Sequence, residues 1–216
     1  MSKSILYVVS HSQVHEDRYW TVMKTWGKDI DCVFYSDHED ASKKIIKTSD
    51  STAYGSGEEK LTTMMNILPD QYLHYDWYVH CDNDTFINTA KMYQLAQTAD
   101  PQKIHGLVAT IEFPKGVVLN YCGGGASYLM SNQIYHNIYR GKSKIYHSGY
   151  GDVAIGVLAR ENNVQLQHHN GFHSFPPSHY NYTDNVFIAN QYTFHYIKDF
   201  ALMNQLYENS KSYTQL

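Results

Sequence analysis

Three consecutive polar residues follow a hydrophobic run in the first half of the chain, and they are the first candidates for chemistry. The run Trp77-Tyr78-Val79 leads into Asp82, Asn83 and Asp84. Aromatic and β-branched residues favour a buried strand, so the two carboxylates are expected where that strand leaves the core. Mg²⁺ and Mn²⁺ prefer oxygen ligands, and a cation held there would neutralise the diphosphate of a nucleotide-activated donor. A polar turn is the alternative, and an Asp-x-Asp pattern alone favours the turn.

Two later residues could add a base and a second metal ligand. Asp152 stands where a helix is predicted to begin, so it can cap that helix, or it can accept a proton from a nearby hydroxyl. His195 lies in the strand-like aromatic run Tyr192–Ile197, where a lone polar side chain needs a partner. It either bonds to the backbone in the core or faces the metal site. The other histidines of the C-terminal third show no regular metal-ligand spacing and are expected in loops or at the surface.

Glycines and a lysine supply weaker signals for ligand binding. Gly123, Gly124 and Gly125 are consecutive, which allows a phosphate or sugar to approach the backbone closely, although a tight turn or bulge explains them nearly as well. Lys60 follows the start of a predicted helix and can reach a phosphate. Without other support, a solvated charge is the favoured interpretation of Lys60.

The segments between these residues predict an α/β fold. Ile5–Ser10 and Cys32–Asp37 are predicted strands, and Val14–Trp26 between them is predicted to be helical. Strand, helix and strand in this order indicate a parallel sheet that binds ligands at the carboxyl ends of its strands. Ser10 and Asp37 are therefore expected on the binding edge.

The remaining elements follow from periodicity and from helix-ending residues. Ser131 is the predicted N-cap of one helix, and 208–216 is expected to be a frayed tail. The other predicted elements are the helices Glu58–Leu68 (ended by Pro69), Ala90–Thr98 and Phe200–Tyr207, and the strand Ile104–Ile111.

Composition limits the classes of protein that fit this chain. Its 216 residues suit one domain over 1–216, and a net charge of −4 gives no footprint for nucleic acid or an anionic membrane. Three cysteines without a CxxC spacing indicate neither a disulfide framework nor a structural zinc site. No apolar stretch approaches the roughly 20 residues of a membrane helix. A cytoplasmic location is expected, unless the chain is a trimmed form of a secretory-pathway protein.

Four stretches, in order along the chain, resemble the fringe-like inverting β1,3-glycosyltransferases, most closely the core 1 β1,3-galactosyltransferase branch. They are Asp76–Ile87, Tyr121–Ser131, Gly151–Gly156 and Thr193–Ile197. The resemblance implies a GT-A type α/β fold with a mostly parallel central sheet flanked by helices. It also implies a nucleotide-binding half, 1–88, and an acceptor-side half, 89–207. A bacterial or viral enzyme would fit the expected cytoplasmic location.

The resemblance also implies substrates and residue roles. The donor would be a UDP-sugar, the cofactor Mn²⁺ or Mg²⁺, and the acceptor a glycan, a glycopeptide or another hydroxyl compound. Asp84 would be the direct metal ligand, Asp82 would face the ribose or a metal-bound water, and His195 would be the second ligand. Asp152 would be the catalytic base of a direct displacement that inverts the donor carbon.

Donor contacts are assigned by the same resemblance. Ser10, Asp37 and Lys60 would line the nucleotide side, and Gly123–Gly125 would let the backbone approach the donor sugar. Asn83 departs from the family pattern, which usually has Asp there, and it motivates an alternative: a non-catalytic sugar- or nucleotide-binding module on the same fold. A His-rich metal hydrolase is disfavoured because no nucleophile or HExxH pattern accompanies the histidines.

Overall fold

The computed structural model describes residues 3–53, 56–68, 70–113, 116–138 and 149–213. Pro69, which was predicted to end a helix, lies outside these ranges, as do residues 214–216 of the predicted tail. None of the helices within the described ranges has both the length and the apolar character needed to cross a membrane.

Twelve strands are present in the described residues. They are β1 (Ile5–Ser10), β2 (Cys32–Ser36), β3 (Ile45–Lys47), β4 (Trp77–Asp82), β5 (Phe86–Ile87), β6 (Lys103–Gly106), β7 (Val108–Phe113), β8 (Val117–Cys122), β9 (Tyr128–Ser131), β10 (Gln165–His168), β11 (Phe172–His173) and β12 (Thr193–Phe194). Seven form a central sheet in the order β10-β6-β9-β4-β1-β2-β3. Only β9 runs antiparallel to its neighbours, so the sheet is mostly parallel, as predicted. The small sheet β11-β12-β5 and the hairpin β7-β8 complete the set.

Within the described ranges, seven α-helices cover the two faces of the central sheet. They are α1 (Glu16–Lys24), α2 (Gly57–Ile67), α3 (Thr89–Thr98), α4 (Asn132–Ile138), α5 (Gly151–Glu161), α6 (Asn185–Ala189) and α7 (Phe200–Tyr213). Residues of α1, α3 and α7 pack into one hydrophobic cluster, and residues of α2, α4 and α5 pack into the other.

Side-chain alternation along the central strands divides the core between these two clusters. In β1, Tyr7 and Val9 join the first cluster, whereas Leu6 and Val8 join the second. Successive side chains of a strand point to opposite faces, so a strand that is apolar throughout is buried on both. The apolar residues of the predicted helix Glu58–Leu68 lie in the second cluster, where Leu61 is 2% exposed.

The predicted strand Ile104–Ile111 is wrong as one element. It is two strands in different sheets: β6 lies in the central sheet, and β7 pairs with β8 in the hairpin. The chain changes sheets at Leu107, whose carbonyl accepts the Gly123 N–H at 3.0 Å. Strand β8 was not predicted because its apolar and polar residues do not alternate along the sequence. Val117 and Val118 are consecutive apolar residues, and both are about half exposed.

Two further predictions need correction near the C-terminus. The frayed tail predicted for 208–216 is wrong over 208–213, where α7 continues to Tyr213. Its polar sequence gives little apolar pattern, but Ser210 is buried, and Lys211 lies over the Tyr207 ring, 5.0 Å from its centroid. The strand-like run around His195 is a strand only at Thr193–Phe194.

Candidate active site

The acidic triplet lies at the carboxyl edge of the central sheet. β4 is parallel to β1, with Asp82 in register with Ser10, and the Asn83 N–H donates to the Ser10 carbonyl at 3.1 Å. Asp82 is 39% exposed in its side chain, whereas Asn83 and Asp84 are buried. One carboxylate is therefore open to solvent and the other is held inside the edge.

His195 meets both carboxylates although it is remote in sequence. Its Nε2 lies 3.1 Å from Asp84 Oδ1 and 3.5 Å from Asp82 Oδ2. One ligand atom from each of the three side chains lies within 4.8 Å of the others. An imidazole nitrogen beside carboxylate oxygens is a donor set that suits Mn²⁺, so these residues fit a divalent cation.

The backbone around His195 explains its position. The His195 N–H donates to the His173 carbonyl at 3.1 Å, and the Ile197 N–H donates to the Asp84 carbonyl at 2.8 Å. The imidazole packs against Gly125, where an added Cβ would lie only 2.2 Å from His195 Cε1. The close approach that the glycine run permits is made at Gly125 by this histidine.

Asp152 is joined to the same glycine segment. It is the second residue of α5, and its Oδ2 accepts the Gly124 N–H at 2.9 Å while its Oδ1 accepts the Val153 N–H at 2.9 Å. Because Gly124 and Gly125 are adjacent, one peptide segment places the carboxylate of Asp152 and the imidazole of His195 around a shared region.

Charge interactions set the protonation states in this region. Burial disfavours the protonated imidazole of His195, but hydrogen bonds to Asp82 and Asp84 outweigh burial and raise its pKa to about 9. Burial also opposes ionisation of Asp84, yet His195 and Arg18 keep the pKa of Asp84 below its usual value. Burial raises the pKa of Asp152, against the hydrogen bonds from Gly124 and Val153.

Arg18 also contacts the triplet, and it was not predicted from the sequence. Its guanidinium donates to Asp84 Oδ2 at 3.2 Å, while His195 lies at the other oxygen. The sequence position of Arg18 was the available signal for this contact. Helix α1 is the first α-helix after β1, and the first turns of such a helix lie near the carboxyl edge of the sheet.

Asn83 takes part in a separate contact with His11. The Asn83 side-chain amide and His11 Nδ1 are 2.9 Å apart, and both residues are buried. Burial and the neighbouring His38 lower the pKa of His11 to about 4, so its imidazole is neutral at pH 7. A neutral amide at position 83 thus partners a neutral imidazole, which gives Asn83 a structural role distinct from metal binding.

Of the residues predicted to line the nucleotide, Ser10 ends β1 and Lys60 lies on α2. Asp37 follows β2, and its carboxylate accepts hydrogen bonds from the Ser12 hydroxyl and the Gln13 N–H. Lys60 Nζ lies 3.2 Å from Asp37 Oδ2, with only 7% of its side chain exposed. The interpretation of Lys60 as a solvated charge is wrong, because it forms a buried ion pair.

A model of the Fringe-like family matches residues 2–209 of this chain. The chain belongs to the Fringe-like family. Family membership supports glycosyltransferase activity, and the sequence-based resemblance to this family is confirmed. The comparison with curated proteins gave no match.

Solved structures share the fold of this Fringe-like chain at low sequence identity. One is a glycosyltransferase involved in the glycosylation of the major capsid of PBCV-1, with a TM-score of 0.53 and 10% identity over 99% of this chain and 100% of that one. Another is the bifunctional glycosyltransferase WbbM, with a TM-score of 0.50 and 11% identity over 98% of this chain. The present chain covers 45% of WbbM. These neighbours confirm the GT-A type α/β fold.

Proposed function

We propose that this glycosyltransferase moves a sugar from a UDP-sugar to an acceptor hydroxyl, with a divalent cation at Asp82, Asp84 and His195 and with Asp152 as the base. One observation carries the proposal: two adjacent glycines contact the Asp152 carboxylate and the His195 imidazole. Gly124 holds the Asp152 carboxylate, and Gly125 lies under the His195 ring that reaches Asp84.

Asp84 and His195 would hold the cation, with Asp82 at the exposed side of the same cluster. When bound, Mn²⁺ or Mg²⁺ supplies charge neutralisation for the diphosphate of the leaving group. Arg18 offers a second positive charge at the other oxygen of Asp84. Before a cation binds, the imidazolium of His195 and the guanidinium of Arg18 balance the buried Asp84 carboxylate.

Asp152 would take the proton of the acceptor hydroxyl as that oxygen bonds to the anomeric carbon. The bond from that carbon to the UDP oxygen breaks in the same step, so UDP leaves with its electron pair and the configuration inverts. Burial makes the ionised Asp152 a stronger base because it raises the pKa of its carboxyl group. The β1,3 linkage rests on the resemblance of the four motifs.

The rest of the donor site is proposed from position. Ser10, Asp37 and Lys60 would face the nucleotide within the half 1–88, and Gly123 and Gly124 would approach the donor sugar. An added Cβ at Gly123 would make only ordinary van der Waals contacts, none closer than 3.9 Å. The acceptor would bind in the half 89–207.

A panel of UDP-sugars tests the proposal through release of free UDP. Turnover should require Mn²⁺ or Mg²⁺ and should stop in EDTA. Asp152→Asn should keep UDP binding and lose transfer by roughly 10²- to 10⁴-fold, the usual contribution of a general base. Turnover that ignores chelation would contradict the metal assignment. UDP binding without turnover in the unaltered protein would instead favour the non-catalytic module.

A further inference from the structure

Two exposed aromatic rings extend outward from the candidate active site. The Tyr196 ring stacks on the His195 imidazole with 3.9 Å between centroids and an interplanar angle of 28°. The Phe175 ring is inclined at 22° to Tyr196, with centroids 5.8 Å apart. Tyr196 is 42% exposed and Phe175 is 39% exposed. We call this pair the aromatic shelf.

The backbone holds Tyr196 in a conformation that bulky residues rarely adopt. Its φ is +59°, in the left-handed region, which is unfavourable for an aromatic residue. The hydrogen bonds of its two neighbours fix it there, since His195 is bonded to His173 and Ile197 to Asp84. Strain of this kind persists where surrounding contacts enforce it, and it is concentrated at ligand-binding sites. The strained position presents an aromatic ring directly beside a candidate metal ligand.

The other ring of the shelf is held in place independently. Phe175 stacks on His179 with 4.2 Å between centroids, and Pro176 and Pro177 restrict the chain that follows it. The preceding residue, Ser174, has its hydroxyl 3.9 Å from the Cβ position of Gly123. The shelf therefore runs from His195 to Gly123. The next residue, Gly124, donates a hydrogen bond to Asp152.

We infer that the aromatic shelf binds a pyranose ring of the acceptor, an inference that rests on the proposed function. One face of many pyranose rings carries several C–H bonds, and such a face packs on the electron-rich face of an aromatic ring. Lys198, with its Nζ 5.3 Å from the Tyr196 centroid, adds a hydrogen-bond donor for ring hydroxyls. Apolar rings with a few polar groups at the edge are the usual make-up of a small-molecule site.

The position of the shelf favours the acceptor over the uracil of the donor. Arg18 approaches one oxygen of Asp84, and His195 approaches the other. Of the proposed nucleotide residues, Ser10 ends β1, Asp37 follows β2 and Lys60 lies on α2. Phe175 and Tyr196 instead follow β11 and β12 of the small sheet. The two sets of residues therefore come from different parts of the fold.

Steady-state kinetics with methyl pyranosides as acceptors test this inference. Tyr196→Asn removes the ring at a left-handed position that asparagine tolerates, and Phe175→Leu removes the second ring. Each should raise the KM for the pyranoside by about tenfold, a typical loss for one stacking ring. In Phe175→Leu, whose ring contacts Tyr196 and His179 and not His195, the KM for the UDP-sugar and transfer to glycerol, which has no ring, should stay unchanged. Tyr196→Phe should behave as the unaltered protein.

Tyr93→Ala provides a matched control, because Tyr93 is 40% exposed on α3. An unchanged pyranoside KM in both shelf variants would overturn the inference and leave the proposed function standing. A higher KM for the UDP-sugar alone would place the uracil on the shelf and would also overturn it. If Tyr196→Asn fails to fold, Phe175→Leu decides.

Saturation-transfer NMR separates this inference from the proposed function. If the unaltered protein releases no UDP from any donor, the proposed function fails. Methyl pyranosides should still receive saturation from the aromatic protons of the unaltered protein, and that transfer should be weaker in Phe175→Leu. No saturation in the unaltered protein, or equal saturation in the variant, would overturn the shelf as a pyranose site.

Discussion

Gly125→Ala is the substitution expected to disturb the candidate metal site with the least effect on the rest of the fold. The new Cβ would lie 2.2 Å from Cε1, 2.3 Å from Nδ1 and 2.7 Å from Nε2 of His195. Contacts below 3.0 Å are essentially never seen for a real Cβ, so the imidazole must move. His195 would then leave the position in which its Nε2 is 3.1 Å from Asp84.

Two effects of different size follow from that displacement. Overpacking of this kind destabilises a protein by about 1–3 kcal/mol. Misorienting a metal ligand lowers metal affinity by about 10- to 100-fold. We therefore expect Gly125→Ala to remain folded while its Mn²⁺ affinity falls by one to two orders of magnitude, and its transfer rate at limiting Mn²⁺ should fall in parallel.

The assay is a Mn²⁺ titration followed by electron paramagnetic resonance of the free ion, with urea unfolding measured alongside. Gly123→Ala is the matched control, because its added Cβ would meet no heavy atom closer than 3.9 Å and its Mn²⁺ affinity should not change. Equal Mn²⁺ affinity in Gly125→Ala and the unaltered protein would refute the assignment of His195 as a ligand.

Three further predictions concern charges near the site. Asn83→Asp should raise the pKa of His11 above its value of about 4, because a buried carboxylate would face the imidazole; NMR titration of the histidine protons measures this, and an unchanged value would contradict the pairing. Lys60→Met should cost roughly 3 kcal/mol of unfolding free energy by leaving buried Asp37 without its cation, and adding Asp37→Asn should restore part of the loss; equal stability of the single variant and the unaltered protein would refute the buried pair. Without metal, the protonated His195 stabilises the folded protein through its carboxylate partners, which is why its pKa is raised. This contribution to the free energy of unfolding is complete below about pH 6.5 and is lost as the pH rises towards 9. Urea unfolding in EDTA at both pH values should show the loss, which His195→Gln should abolish.

The sheet and the polar residues at its carboxyl edge could be predicted because their sequence signals are local. The strands β1 and β4 are buried and largely apolar, and each ends in a polar residue at the carboxyl edge. The apolar stripe of α2 has helical spacing, and Leu61 is buried as this spacing predicts. Local patterns of this kind need no knowledge of distant contacts.

The contacts that complete the site could not be derived from local pattern. Arg18 and Lys60 look like ordinary helix charges until the fold brings them to Asp84 and Asp37. The break between β6 and β7 lies at Leu107, whose carbonyl accepts a hydrogen bond from Gly123, 16 positions later in the chain. The family resemblance, and not the local sequence, assigned His195 to the metal site. Its own segment is equally compatible with a histidine that is buried in the core and bonded to the backbone.

Asp84 and His195 are proposed to hold one divalent cation, with Asp152 as the base of the same active site. Crystals grown with MnCl₂ and UDP, with anomalous diffraction measured at the manganese absorption edge, test it most directly. We expect an anomalous peak within coordination distance of Asp84 and His195, next to the diphosphate. A diphosphate bound at this edge without manganese, or a manganese peak at other residues, would contradict it.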